Sequence, residues 1–559
     1  MLLLASSLVT YSASGPAPRV DASRSAVRAT LSAEPQAAAP GVSAAQQALP
    51  EQVAALLIEY LKPENLLEQR SVKLRSPADL DAAFAEAGCS LPLAEAEEAL
   101  DAEKLLNACK LTLEYSVQTG SPLFFNQLYG RADTASIVGE WIAAAVNTNS
   151  HTFEVAPVFT LMEKYVLDRF ASAVGPGFAA ESDGLFVPGS SIGNLYGLIL
   201  ARHRVAPEIH TKGAAAAPRL VAFVSSQAHY SYLKSVRLLG IGSDNLVSVA
   251  TDPTTGQMDP AALRAAIRAA RADGATPFFV GATAATTVIG AFDPLRELRA
   301  VCDEEAGGEA AAEQQQRRLW LHVDGAWGGA ALLSPTHAHH LDGADAADSL
   351  ACSLHKMLGA TLQCSVFVTR HRGALLAANA ANAAYLFQPD KLYTELDVGD
   401  KTIQCGRKAD AFKMWLMWKS LGDAGLAARV DHAFALAAHA TRVIDASDGA
   451  LVLAYPPSCT NVCFWYVPER LRGAFPRGAA AMPPAADGAL TPAHPIHAVA
   501  PRIKAALQKE GGALIGFQSV NGLPNFFRWV FASADTVTPA HVEAILARIA
   551  ELGEELDEP

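Results

Sequence analysis

The chain has 559 residues, more than one core of ordinary size holds, so a large domain with smaller flanking parts is expected. Half of the residues are hydrophobic and 18% are charged, which describes a globular protein and excludes a disordered one. The net charge of −13 argues against nucleic acid as a partner, because that binding rests on cationic contacts to phosphate. The cysteines (Cys89, Cys109, Cys302, Cys352, Cys364, Cys405, Cys459 and Cys463) show no CxxC or histidine-spaced metal pattern. They read as core-filling thiols of a reducing compartment, and no metal is expected.

Residues 1 to about 45 are rich in Ala, Ser and Pro, reach their first acid at Asp21, and carry Arg19, Arg24 and Arg28. That composition fits an organelle transit peptide and equally a disordered cytosolic tail, so the compartment is cytoplasmic or organellar. A secretory reading of Met1 to Val9 lacks a basic flank. No apolar run approaches the roughly 20 residues that span a bilayer. A helical segment is expected over 46–120, a large domain over 121–444 and a small one over 445–559.

From about residue 95 to 440, helical patterns alternate with short apolar runs, which implies a mostly parallel sheet with helices on both faces. Pro188-Gly189-Ser190-Ser191-Ile192-Gly193-Asn194 precedes an apolar helical run, Leu195 to Ala201. Small residues there let N–H groups and hydroxyls approach a phosphate at a helix N-terminus; in isolation a turn that merely caps a helix is the better reading. Pro218 to Val224 and Pro277 to Gly281 read as strands. Asp259 and Pro260 read as N-cap and first turn of a helix. The stretches Gly307 to Arg318 and Gly473 to His497 look like surface insertions.

The apolar run Arg318 to Val323 ends in Asp324, at the strand end where open parallel sheets present ligand residues. Asp348 to Ser353 is a second short run, and it delivers His355 and Lys356 to the same edge. Pyridoxal phosphate chemistry needs such a pair: a lysine to hold the aldehyde covalently, and a carboxylate to keep the pyridine nitrogen protonated. Gly325 and Ala326 are small, as expected where a flat ring lies against backbone. A surface lysine and a solvated aspartate are the alternative.

At this point the chain resembles the group II pyridoxal-phosphate-dependent decarboxylases, in the branch of glutamate and cysteine-sulfinate decarboxylases. The resemblance runs in order through Phe124-Phe125-Asn126-Gln127-Leu128, Glu154 to Phe159, Pro188 to Asn194, Ala228-His229-Tyr230-Ser231, Gly290 to Pro294 and His322-Val323-Asp324. It continues through Leu362 to Ser365, Tyr385 to Gln388, Gly399-Asp400-Lys401, Gln404 to Arg407 and Asn525 to Arg528, and so covers about residues 50 to 555.

The resemblance implies a fold-type I large domain, a smaller C-terminal α/β domain, a homodimer, and decarboxylation of acidic amino acids. It implies that Lys356 holds the cofactor, Asp324 faces its ring nitrogen, and His229 and Ala326 sandwich the ring. Ser190, Ser191, Thr286, Ser353 and His355 would complete the cofactor site. Arg528 would grip the acidic side chain of the substrate, helped by Gln127 and its neighbours Leu128 and Tyr129. Tyr385, on a loop over Asn382 to Asp400, would return a proton to Cα after CO₂ leaves.

The chain departs from the family pattern in three places. Ser190 stands where relatives carry a second glycine, Ala285 precedes Thr286 where they carry glycine, and Ser353-Leu354 replaces their Asn-Pro. Tyr129, bulkier than the Ser or Thr of glutamate-specific relatives, favours cysteine sulfinate or aspartate. A glutamate-specific enzyme forming GABA, and a catalytically weak relative acting as a binding protein, are the alternatives.

Overall fold

The computed structural model describes residues 44–62, 64–65, 71–93, 99–306, 318–388, 390–473, 475, 494–532 and 535–555. Nearly all of the 1–45 stretch and most of both expected insertions lie outside the described residues. The chain forms two compact units, residues 1–60 with 75–114, and residues 61–74 with 115–559. In the first, helix Pro77–Glu86 begins in a capping box: Ser76 Oγ accepts from Asp79 N, and Asp79 accepts from Ser76 N. Helix Ala44–Tyr60 and most of Ala102–Tyr115 belong to it as well.

The second unit holds two sheets. Strand β1 (Phe124–Phe125) belongs to the smaller one. The larger contains β2 (Asp183–Val187), β3 (Leu220–Ser225), β4 (Leu246–Val249), β5 (Thr276–Thr283), β6 (Trp320–Asp324), β7 (Ser349–Ser353) and β8 (Ser365–Thr369). Its order is β2-β8-β7-β6-β5-β3-β4. Strand β8 runs antiparallel to β2 and β7, and the other neighbours are parallel. The smaller sheet adds β9 (Leu451–Leu453), β10 (Asn461–Tyr466), β11 (Leu514–Gln518) and β12 (Phe526–Val530) in the order β1-β11-β12-β10-β9. It thus takes Phe124 and Phe125 from the region assigned to the large domain, because their extended backbone pairs with Leu514 and Ile515.

The large sheet is apolar on both faces, as a parallel sheet between helices must be. Val221, Phe223, Val280, Leu321, Val323 and Leu350 join one core; Leu220, Ala222, Val224, Phe279, Trp320 and Ala351 join another. Successive residues alternate between the two, following the period of a strand. The second core is covered by helix Ser190–Val205, which comes unusually close. A Cβ on Gly193 would lie 2.7 Å from Ala351 Cβ, and one on Gly197 would lie 2.9 Å from the His322 ring. The expected helix over Asp259 onward is Pro260–Ala272, with Asp259 accepting from Ala261 N at 2.7 Å.

Candidate active site

The parallel strands of the large sheet direct their carboxyl ends to one edge, and a cavity of about 220 Å³ opens there. The turn after β2 contributes Gly189, Ser190 and Ser191, and the segment after β3 contributes His229 and Tyr230. Thr283, Ala285 and Thr287 come from the end of β5, Asp324, Ala326 and Trp327 from β6, and Ser353, His355 and Lys356 from β7. Eight expected residues (Ser190, Ser191, His229, Asp324, Ala326, Ser353, His355 and Lys356) therefore surround one space, together with Gly189 of the Gly-Ser-Ser turn.

Each polar group is held by its local structure. Gly189 has φ +89, a conformation that suits glycine, and turns the chain into the helix beginning at Ser190. Ser190 Oγ lies 2.7 Å from Ser353 Oγ, and Ser365 Oγ donates to Ser353 Oγ at 3.1 Å. Asp324 is 3% exposed; its Oδ1 accepts from Ala326 N at 3.0 Å and its Oδ2 from Asn194 Nδ2 at 2.7 Å. His229 Nδ1 accepts from Ser231 N at 3.2 Å.

The electrostatics suit a covalent amine site. Burial pulls the Lys356 ammonium below the ordinary lysine pKa; Asp324 and Cys352 oppose this, and the positive charge of Arg528 adds to it. Burial also lowers His229, against the pull of Asp324, and pushes His355 down to about 4. Both imidazoles are therefore neutral near pH 7. The buried thiol of Cys352 is pushed up to about 12, which keeps it an inert neighbour of Lys356.

Other expected residues stand elsewhere. Thr286 is fully buried and faces away from the cavity: its Oγ1 accepts from Ala291 N at 3.1 Å, inside the turn that leads to Phe292. Ala285, with a φ of +66, turns the chain here, and Thr287 beyond it lines the cavity, as does Thr283 at the end of β5. The Ala285 methyl finds room because its neighbour is Gly328, on which a Cβ would lie 2.8 Å from it. Leu354 is fully buried in the core. Tyr385 is 79% exposed and outside the cavity lining.

Gln127 is exposed, Leu128 is buried in the core, and Tyr129 packs on Phe124 with centroids 5.9 Å apart. None of these three lines the cavity. Arg528, on β12, donates from Nη2 to Asn126 O at 2.7 Å, and among the described residues no carboxylate pairs with it. Lys504 Nζ donates to Asn126 Oδ1 at 3.0 Å, which places two cations around one asparagine.

Sequence reasoning passed over Asn194, Thr283, Thr287, Trp327 and Lys504. Asn194 carried a readable signal, an amide at the start of an otherwise apolar helical run. The side chains present fit pyridoxal phosphate. Ser190, Ser191 and Ser353 cluster at a helix start, Asp324 and Lys356 share the cavity, and Thr283 Oγ1 is buried at its wall with no protein partner.

A family model described as the pyridoxal-dependent decarboxylase conserved domain matches residues 86–467. The Homo sapiens protein named cysteine sulfinic acid decarboxylase is 39% identical over 500 residues, covering 89% of this chain and 91% of its own. The Bos taurus protein named acidic amino acid decarboxylase GADL1 is 41% identical over 455 residues, 81% of this chain and 82% of that one. The crystal structure of mouse CSAD superposes with a TM-score of 0.81 at 36% identity, covering 92% of this chain and 100% of that one. The crystal structure of Oryza sativa TDC with PLP and tryptamine superposes with a TM-score of 0.76 at 24% identity over 93% of this chain, a likeness of fold. With a family model over residues 86–467 and relatives of about 40% identity along most of its length, this chain belongs to the pyridoxal-dependent decarboxylases, in the glutamate and cysteine-sulfinate decarboxylase branch.

Proposed function

We propose that the chain decarboxylates small acidic amino acids, with cysteine sulfinate and aspartate ahead of glutamate. The observation that carries the substrate class is Arg528, a largely enclosed guanidinium with no carboxylate partner among the described residues and with its charge felt at Lys356. A planar guanidinium forks onto a carboxylate or sulfinate through two parallel hydrogen bonds. The relatives' names point the same way.

When bound, pyridoxal phosphate would supply an electron sink for the pair left at Cα by the departure of CO₂. Lys356 holds the group, with an amine that burial keeps easily deprotonated. Asp324, fixed by two neutral donors, would face the ring nitrogen of the group and favour its protonated form. Ser190, Ser191 and Ser353 would hold the phosphate, and His229 with Ala326 would flank the ring. Arg528 anchors the far acid and so orients the Cα–carboxylate bond. Lys356 or Tyr385 returns the proton to Cα, the tyrosine from the Asn382 to Asp400 loop.

A homodimer is part of this reading. Helix Thr134–Val146 buries Ser136, Gly139 and Ala143 but leaves Val138, Trp141, Ile142 and Val146 exposed, an apolar face suited to a second copy. Among the described residues no helix is long and apolar enough to cross a membrane. The test is CO₂ release from cofactor-loaded protein with cysteine sulfinate, aspartate and glutamate, in wild type and Arg528→Met. The expected outcome is turnover of the shorter acids, with KM raised at least tenfold by Arg528→Met. An unchanged KM removes Arg528 from the substrate site.

A further inference from the structure

Under helix Ser190–Val205, one line of buried side chains runs across the sheet and ends at Asp324. Trp320 Nε1 donates to Ser349 Oγ at 2.8 Å. Ser349 Oγ lies 2.8 Å from His322 Nδ1, His322 Nε2 lies 3.0 Å from Asn194 Oδ1, and Asn194 Nδ2 donates to Asp324 Oδ2 at 2.7 Å. The Asn194 amide also donates to Ser231 Oγ at 3.0 Å. Every member is at most 3% exposed, so water does not compete.

The direction of each bond follows from the carboxylate end. Asn194 Nδ2 donates to Asp324, so Asn194 Oδ1 faces His322 Nε2 and accepts its hydrogen. A neutral imidazole protonated at Nε2 accepts at Nδ1, so Ser349 turns its hydroxyl hydrogen there and accepts from the Trp320 indole with its oxygen. Burial, with the His322 pKa pushed down to about 4, keeps the ring neutral. The ring itself is clamped between Phe279 and Phe367, at centroid distances of 5.9 and 6.1 Å, and against Gly197.

We propose that Asn194 and His322 are positioning residues for Asp324: the line from Trp320 fixes the carboxylate in one orientation and supplies it with neutral donors only, so that its remaining lone pairs stay open toward the ring nitrogen of the cofactor. A fixed tautomer matters here because a flipped amide would present Asn194 Oδ1 to Asp324, setting two acceptors against each other. The inference rests on the reading of Asp324 as the partner of the ring nitrogen. It extends the site from the cavity wall, where Asn194 stands, to His322 and Ser349 behind it.

The test uses the full chain loaded with pyridoxal phosphate, as wild type, Asn194→Leu, Ser349→Ala and Asp324→Asn. Asn194→Leu keeps the heavy-atom count and branching but removes the amide. Its expected effect is a kcat lower by about 10–100-fold, the range typical when a group that orients a ligand is removed, with amino-acid KM changed less than about twofold. The visible absorption band of the bound cofactor is expected to shift, and cofactor affinity in a titration of the stripped protein to fall. Ser349→Ala, remote from the cavity, is expected to give the same signature in weaker form.

A folded Asn194→Leu with wild-type kcat and spectrum, while Asp324→Asn loses both, overturns the proposal and leaves the Asp324 reading standing. Wild-type behaviour of Asp324→Asn overturns both. Equal losses in every parameter mark Asn194 as structural only. If Asn194→Leu does not fold, Ser349→Ala decides on the same readouts.

Discussion

Acidification gives the buried histidine of this line a measurable signature. The unfolded chain protonates His322 near pH 6.5, whereas in the native protein burial holds it unprotonated down to about pH 4. Between those values the unfolded state binds one more proton than the native state at this residue. Stability therefore falls as pH falls, with a slope of about 1.4 kcal/mol per pH unit and a total of about 3 kcal/mol. Other groups act in the same range: His355 and His340, also held near 4, add in the same direction, as do the lowered His229, His203, His337 and His494, while Asp293, raised by burial to about 6, opposes them. Wild type alone thus shows a blend of these effects, and the difference from His322→Gln isolates the one of interest.

At pH 7 the variant is expected to be less stable by about 1–3 kcal/mol, because Ser349 and Asn194 lose a partner. Its deficit should shrink as pH falls, since the variant has no proton to refuse, and should close or reverse near pH 4. The assay is urea unfolding of the cofactor-free protein at half-unit steps from pH 7 to pH 4. Parallel stability curves for wild type and variant refute the reasoning, because they mean that His322 titrates alike in the folded and unfolded chains.

Lys356→Ala is expected to abolish turnover and the visible band of the bound cofactor together; wild-type turnover in that variant would remove Lys356 from the chemistry. Glu163 and Arg407 form a buried pair, each at most 5% exposed, with Arg407 Nη2 2.5 Å from Glu163 Oε1 and Nη1 3.1 Å from Oε2. Glu163→Ala strands the guanidinium and should cost about 3–5 kcal/mol in chemical denaturation, with much of the loss recovered in Glu163→Leu/Arg407→Met. Gly197→Ala drives a Cβ to 2.9 Å from the His322 ring and should cost about 1–3 kcal/mol, together with a lower cofactor affinity; equal stability would show that helix Ser190–Val205 moves freely away from the sheet.

The sequence disclosed those parts of the site that strand ends dictate. A short apolar run that stops at Asp324, and another that stops just before His355 and Lys356, identify two parallel strands and the edge they share, since ligand residues gather at such ends. Gly189-Ser190-Ser191 was legible for the same reason, as a turn between a strand and a helix. Thr286 was misjudged because position in a motif does not say which way a side chain points. One residue of left-handed backbone at Ala285 sends Thr286 into its own turn and brings Thr287 to the cavity. Gln127, Leu128 and Tyr129 were judged by sequence neighbourhood, whereas the pairing of β1 with β11 buries Leu128 and turns Gln127 outward.

The line behind Asp324 shows what a one-dimensional reading leaves out and what it could have caught. Strand period two places Trp320, His322 and Asp324 on one side of β6, so a histidine two residues before the key carboxylate was already on its face. Its partners come from β7 and from a helix more than 100 residues upstream, a separation that no local pattern spans. What makes the arrangement specific is packing: glycine at 193 and 197 lets the helix approach closely enough for Asn194 to reach both His322 and Asp324. The charge that the reaction depends on is therefore set by two missing side chains as much as by the carboxylate itself. A bulkier residue at either glycine would leave Asp324 in place on its strand but hold it less firmly, because the amide that orients it would be carried away with the helix.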